Sequence, residues 1–283
     1  HLQSVLQRME HFFGPGRYFR VTARGLDNIP DTNVLLVSNH SGGTSIPDVW
    51  GFGWAWYQHF GTERMCHALA HEMVFSLQPV GRFFAQIGIL RASQRRARKV
   101  LVETRRDLLV MPGGDHDTWR PFGKRYDVNF NGRTGYARLA IETGVPIVPV
   151  ANAGAHQSLI VLTDGQKIAE AMHLKDLARA GVFPVHLSFP WGLGFGPLPH
   201  VPPPGHLRYR VGEPIRPPAI RPGTRAPQEL VDAVDLQVRE AVQGLLDQLR
   251  EDRREGRSRL RKKGLRVAQR TLEHAQAAIS KRL

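Results

Sequence analysis

The chain holds one cysteine in 283 residues, Cys66, so neither a disulfide framework nor a cluster of thiolate metal ligands can be built. That scarcity agrees with a reducing compartment. No apolar run approaches the roughly 20 residues needed to cross a bilayer. The opening His1-Leu2-Gln3 shows no charged segment followed by an apolar one, so no signal-peptide pattern is visible there. No Gly-x-Ser-x-Gly elbow occurs, which argues against a serine hydrolase. Repeats and low-complexity tracts are missing too, and ordinary composition excludes collagen-like, coiled-coil and disordered readings. The main body has no helix-turn-helix, zinc-finger or aromatic-strand pattern, so nucleic acid is not an expected partner.

Basic residues are plentiful. The net charge is +14 and the pI near 10.8, a balance that favours anionic lipid or phosphate-bearing substrates. The excess is uneven: residues 250–283 hold twelve Lys and Arg against four Asp and Glu, hence +8 of the +14.

The chain is organised around Val34-Leu35-Leu36-Val37-Ser38-Asn39-His40-Ser41-Gly42-Gly43-Thr44-Ser45-Ile46-Pro47-Asp48. A short apolar run reads as a buried strand that delivers His40 to its tip, and the glycines let backbone approach a ligand. Pro47 suits the first turn of a helix, with Asp48 beside it. An imidazole beside a carboxylate is one way to mount a general base; a hydrogen-bonded loop histidine is the other reading of the same residues. The aromatic residues Trp50 to Phe60 then read as a helix that is either core or the lining of a channel for an apolar chain. His67 and His71 lack a nearby third ligand, so no metal site is expected.

Elsewhere, Leu2 to Phe13 reads as an amphipathic helix, within a segment spanning residues 1–16. Short apolar runs alternate with helical stretches from Tyr18 to Pro218. They predict an α/β domain over residues 17–218, a layered, mostly parallel sheet flanked by helices. The proline-rich residues 183–218 read as a wrapping loop around one strand, Leu207 to Val211. Val231, Val234, Val238, Val242, Leu245 and Leu249 form a helical stripe over residues 224–250 that packs on the domain. Residues 251–283 read as a separate basic amphipathic tail, with Leu260, Val267, Leu272, Ala275, Ile279 and Leu283 on one stripe. That tail either meets an anionic membrane surface or serves packing and self-association.

Four blocks in order carry a resemblance: Asn39-His40 through Asp48, Gly88-Ile89-Leu90-Arg91, Val110-Met111-Pro112-Gly113-Gly114, and Val145-Pro146-Ile147-Val148-Pro149. In this the chain resembles the glycerolipid acyltransferase superfamily, near its diacylglycerol acyltransferase-like branch, over roughly Tyr18 to Pro214. The resemblance implies acyl transfer from acyl-CoA or an acyl carrier protein to a glycerolipid hydroxyl. It requires no cofactor, acyl-CoA being a co-substrate, and it places the protein peripherally at the cytoplasmic face of a membrane. His40 would be the general base. The family's orienting Asp follows its His by five residues, where this chain has Ser45; Asp48, three further on, is the expected carboxylate and Ser45 the alternative. Gly113 and Gly114 would supply backbone donors to the oxyanion, and Arg91 would bind an acceptor phosphate. The family's Pro-Glu-Gly is Pro112-Gly113-Gly114 here, so Asp115 would replace part of the missing carboxylate's role. Arg120, Lys124 and Arg125 would steer anionic groups. A domain that binds lipid without turnover is the alternative function.

Overall fold

The computed structural model describes residues 2–76, 78–174, 181–221 and 223–280; of Met73, Arg257 and residues 259–280 it describes the backbone alone. Strands β1 (Phe19–Arg24), β2 (Leu35–Ser38), β3 (Cys66–Ala70), β4 (Ile89–Arg91), β5 (Asp107–Val110), β6 (Ile147–Ala153) and β10 (Gly205–Val211) form one sheet in the order β1-β10-β6-β2-β5-β3-β4. The five strands from β6 to β4 are parallel; β10 runs antiparallel to β6 and parallel to β1.

Strand β2 shows why the sheet is buried. It is fully apolar up to Ser38, and successive side chains point to opposite faces. Leu35 and Val37 enter one core with α4 (Gln94–Arg98), α6 (Gly135–Thr143) and the C-terminal helix; Val34 and Leu36 enter a second core with α1 (Leu2–Phe13) and α2 (Pro47–Phe60). A strand flanked by parallel neighbours and covered on both faces needs a continuous apolar run, and the chain supplies one. Among the described residues the remaining α-helices are α3 (Gln78–Gln86), α5 (Gly114–Thr118), α7 (Gln166–Ala171) and α8 (Gln228–Ser280).

Two expectations are corrected. Residues 183–218 are more than a loop around one strand: β8 (Val185–Ser188) and β9 (Gly192–Phe195) form a hairpin that joins β7 (Ile160–Thr163) in a second, three-stranded antiparallel sheet. Turn-rich composition hid it, since Pro190 sits in the hairpin connection and Gly192, Gly194 and Gly196 in or beside β9. The boundary expected at Glu251 is not a break in the backbone either, because α8 runs unbroken through Arg250 to Ser280. The charge changes there, but Arg, Lys and Glu are good helix formers. Val231, Val234, Val238, Val242, Leu246 and Leu249 bury one stripe of α8 in the first core. Asp252 accepts from Arg210 at 2.9 Å and from Arg24 at 3.4 Å, which ties the helix to the sheet edge. The side chains of the stripe expected beyond Ser258 lie outside the described residues.

Candidate active site

The site is built at the carboxyl ends of β2 and β5, the edge of an open parallel sheet where ligands characteristically bind. After Ser38 the chain turns through Gly42 and Gly43, both at positive φ (96° and 63°). A Cβ on Gly42 would press the Pro47 ring at 2.7 Å, and one on Gly43 would press Leu159 and His200 at 2.6 and 2.8 Å. Only glycine fits. Ile46 is also left-handed, at φ 40°, a costly conformation for a β-branched residue. These three reversals shorten the path and bring the first turn of α2 back over the strand tip.

As a result, Asp48 reaches His40 although eight positions separate them. His40 Nδ1 lies 2.7 Å from Asp48 Oδ2, so Nδ1–H donates and Nε2 is left as the basic nitrogen. The same carboxylate accepts the N–H groups of Ser41 (2.7 Å) and Val49 (2.9 Å) and is almost fully buried. Its backbone carbonyl accepts the Tyr209 hydroxyl at 2.8 Å. Gly51 makes room for that phenol, since a Cβ there would strike its oxygen. Ser45 turns away and donates to the His200 carbonyl. The imidazole keeps 16 % of its surface, against 1 % for the carboxylate.

The strand tip is clamped on its other side. Asn39 Oδ1 accepts the Asn152 N–H at 2.8 Å and its Nδ2 donates to the Asn152 carbonyl at 3.0 Å, joining β2 to β6. Ser41 Oγ donates to Asn152 Oδ1 at 2.8 Å. The His40 N–H donates to Asp117 Oδ2 at 2.5 Å, and the other oxygen of Asp117 is paired with Arg120. Sequence reasoning passed over Asp117. It sits two residues beyond the more conspicuous Asp115, and only its burial in α5 sets it apart.

The other expected residues divide. Arg91, Gly113 and His40 all follow carboxyl ends of parallel strands, so the topology does bring them to one edge. Arg91 is three strands from His40, roughly 14 Å at about 4.8 Å per strand. It is exposed, pairs with Glu72 at 3.0 Å and lies 5.7 Å from the Phe75 ring centroid. Lys124 is exposed, and Arg125 lies over the Phe122 and Tyr126 rings. Arg120 is not a surface steering group. It is buried with Asp117, and burial lowers its guanidinium to about 10, with Asp127 and Asp48 opposing that shift. The Gly114 N–H is engaged by the Met111 carbonyl at 3.1 Å, so it is closed to an oxyanion in this conformation. Asp115 is engaged as well: it accepts from Arg133 at 2.8 Å and from the Gly181 N–H at 2.9 Å. Burial works to raise its pKa, but these bonds hold it below the ordinary value.

His156 packs behind this cluster. Its Nε2–H donates to the Arg120 carbonyl at 2.8 Å, and burial together with the Arg120 charge pulls its pKa down to about 3. It is therefore a neutral ring at ordinary pH. Among the described residues no group of three or more His, Cys, Asp or Glu could hold a metal ion.

An apolar groove of ≈ 580 Å³, part of it open to solvent, runs between α1, α2 and strands β3 to β5. Neither His40 nor Asp48 lines it, but Val49 and Trp50, the next residues of α2, do; Leu6, Met9, Trp56 and Leu109 form further walls. The aromatic residues after Asp48 are thus both core and lining.

Comparison with known proteins agrees with this architecture. The family model described as acyltransferase matches residues 20–153. Uncharacterised proteins of Mycobacterium bovis and Mycobacterium tuberculosis are 31 % identical over 257 residues, covering 90 % of this chain and 68 % of theirs. A chicken (Gallus gallus) protein named as a DGAT1/2-independent enzyme synthesizing storage lipids is 26 % identical over 173 residues, 57 % of this chain and 48 % of that one. The crystal structure of the 1-acyl-sn-glycerophosphate acyltransferase from Thermotoga maritima superposes with a TM-score of 0.51, covering 88 % of this chain and 80 % of that one at 21 % identity.

Proposed function

Since the chain belongs to the glycerolipid acyltransferase superfamily, we propose that it moves a fatty acyl group from a thioester, acyl-CoA or acyl carrier protein, to a hydroxyl of a glycerolipid. His40 is the general base and Asp48 its orienter. The observation that carries this reading is the 2.7 Å bond from His40 Nδ1 to a buried carboxylate at the carboxyl end of β2.

An alcohol is a weak nucleophile at neutral pH. His40 Nε2 takes the hydroxyl proton as the oxygen attacks the thioester carbonyl, and Asp48 stabilises the imidazolium that forms. Collapse of the tetrahedral intermediate breaks the C–S bond, and the proton passes from the imidazolium to the departing thiolate. No cofactor is required by these steps. The apolar groove beside α2 supplies a berth for the acyl chain. Cys66 also lines it, but burial pushes its thiol well above the ordinary value, which disfavours a thioester on the enzyme. Arg91, now paired with Glu72, would bind an acceptor phosphate once Glu72 yields.

The test is release of free CoA from a long-chain acyl-CoA in the presence of lysophosphatidic acid, monoacylglycerol or diacylglycerol, with the acylated product identified by mass spectrometry. The engagement of Gly114 and Asp115 by partners within the chain favours a second reading, lipid binding without turnover. Saturable acyl-CoA binding with no product from any acceptor would establish it.

A further inference from the structure

The small sheet is apolar on both faces. Its inner face is filled: Val161, His186 and Gly194 lie in one buried cross-strand row, and the His186 ring lies 5.3 Å from that of Trp119. An antiparallel sheet with one face in the core normally shows water a polar one. Here the opposite row is Ile160, Leu187 and Leu193, at 40 %, 42 % and 52 % exposure. Phe195 follows at 56 %, and the hairpin tip presents Phe189 at 67 % and Trp191 at 51 %. Contiguous exposed apolar surface of this kind marks a docking site.

We propose that this face and its aromatic tip seat the protein on an anionic lipid bilayer. Charge selects that occupant. From Gly181 to Leu207 the sequence has no Asp, Glu, Lys or Arg, and residues 1–249 still carry +6 of the +14 without the tail. Two copies of so basic a chain repel each other, whereas an anionic leaflet attracts each of them. The chemistry of the tip fits a bilayer too. The Trp191 indole N–H donates to the Pro199 carbonyl, so the ring can leave water without stranding a donor. Strand β8 is paired on both edges, to β7 and to β9, which suits shallow seating at the depth of the headgroups. Tryptophan is enriched at that level.

The seating would orient the site. Thr44 Oγ1 donates to the Leu198 carbonyl at 2.8 Å, and Ser45 to that of His200. The segment that follows β9 is therefore bonded to the turn that carries His40. This inference rests on the reading that the acceptor is a bilayer lipid, and it assigns docking to the small sheet in place of the basic tail.

The test is co-sedimentation of the full chain with vesicles of phosphatidylcholine alone or mixed with phosphatidylglycerol. Three proteins are compared: the unaltered chain, the surface variant Phe189→Ser/Leu193→Ser, and a chain cut before Glu251. Sedimentation velocity is run on each, and acyl transfer is measured with acceptor dispersed in detergent. Binding to the anionic vesicles, reduced at least tenfold in the surface variant with its melting temperature and detergent activity unchanged, is the expected result. Binding that survives in the surface variant but is lost on truncation overturns the proposal in favour of the tail. A dimer that the surface variant converts to monomer, with vesicle binding unaltered, overturns it in favour of a second copy. If no acceptor is acylated by any of the three while the surface variant still loses vesicle binding, the catalytic reading falls and the docking surface stands.

Discussion

Strand β2 is held at both ends by a buried carboxylate paired with a guanidinium, and the two ends differ in one respect. At its amino end Asp107 Oδ1 accepts the Val34 N–H at 2.9 Å, and Arg64 grips the same carboxylate at 2.9 and 3.2 Å. Arg64 also donates to the carbonyls of Pro30 and Thr32 and lies over the Phe60 ring. At its carboxyl end Asp117 accepts the His40 N–H and pairs with Arg120. There the clamp also carries an imidazole whose second nitrogen is not spent on the carboxylate that orients it. A charge pair with all its bonding internal is scaffold; the same pair beneath a partly exposed base positions chemistry.

The largest expected effects compare the two clamps directly. Asp107→Ala strands Arg64 and should cost about 3–5 kcal/mol of stability, read as a shift in denaturant midpoint, with turnover per folded molecule unchanged. Asp117→Ala should cost a similar ~3–5 kcal/mol and also lower kcat, because the His40 backbone loses its anchor. Equal kcat in the two variants would erase the distinction between the ends.

Next in size, Asp48→Asn keeps the shape but presents either a neutral acceptor or an amide to the ring. A fall in kcat of about 10²-fold or more is expected, with KM changed far less. A change confined to KM would move Asp48 from proton transfer to binding.

The smallest effect concerns pH. His156 is held neutral near Arg120, its pKa lowered from 6.5 to about 3. The unfolded chain therefore takes up this proton first. The stability associated with the neutral ring is intact above pH 6.5 and declines as the pH falls from there towards about 3, at no more than ~1.4 kcal/mol per pH unit. His156→Gln should flatten that slope in pH-dependent unfolding curves; an unchanged slope would assign it to other groups.

The same contrast explains what could be read from the sequence. His40 and Asp48 were legible because an apolar strand, two glycines and Pro47-Asp48 are punctuation that local physics dictates. Their meeting was not local: it depends on three left-handed residues, and Ile46 gives no hint in its composition. Arg120, Lys124 and Arg125 look alike in a polar loop, and only tertiary burial divides the first from the other two. Asp117 and Asp107 were passed over for the same reason, since each acts on a strand far away in sequence. The small sheet was hidden by its own glycines: Gly194 is required by the His186 ring, yet reads as loop. The stripe on α8 was legible because it repeats over several turns, whereas the change of charge at Arg250 suggested a boundary that the backbone does not make.

The central claim is that His40 is the base for acyl transfer, and one measurement addresses it most directly. His40→Ala should be purified, shown to melt within a degree or two of the unaltered protein, and assayed for CoA release under single-turnover conditions with saturating acceptor. The account predicts a loss of about 10²–10⁴-fold in the chemical step with acyl-CoA binding retained. An unaltered rate in that folded variant would contradict it.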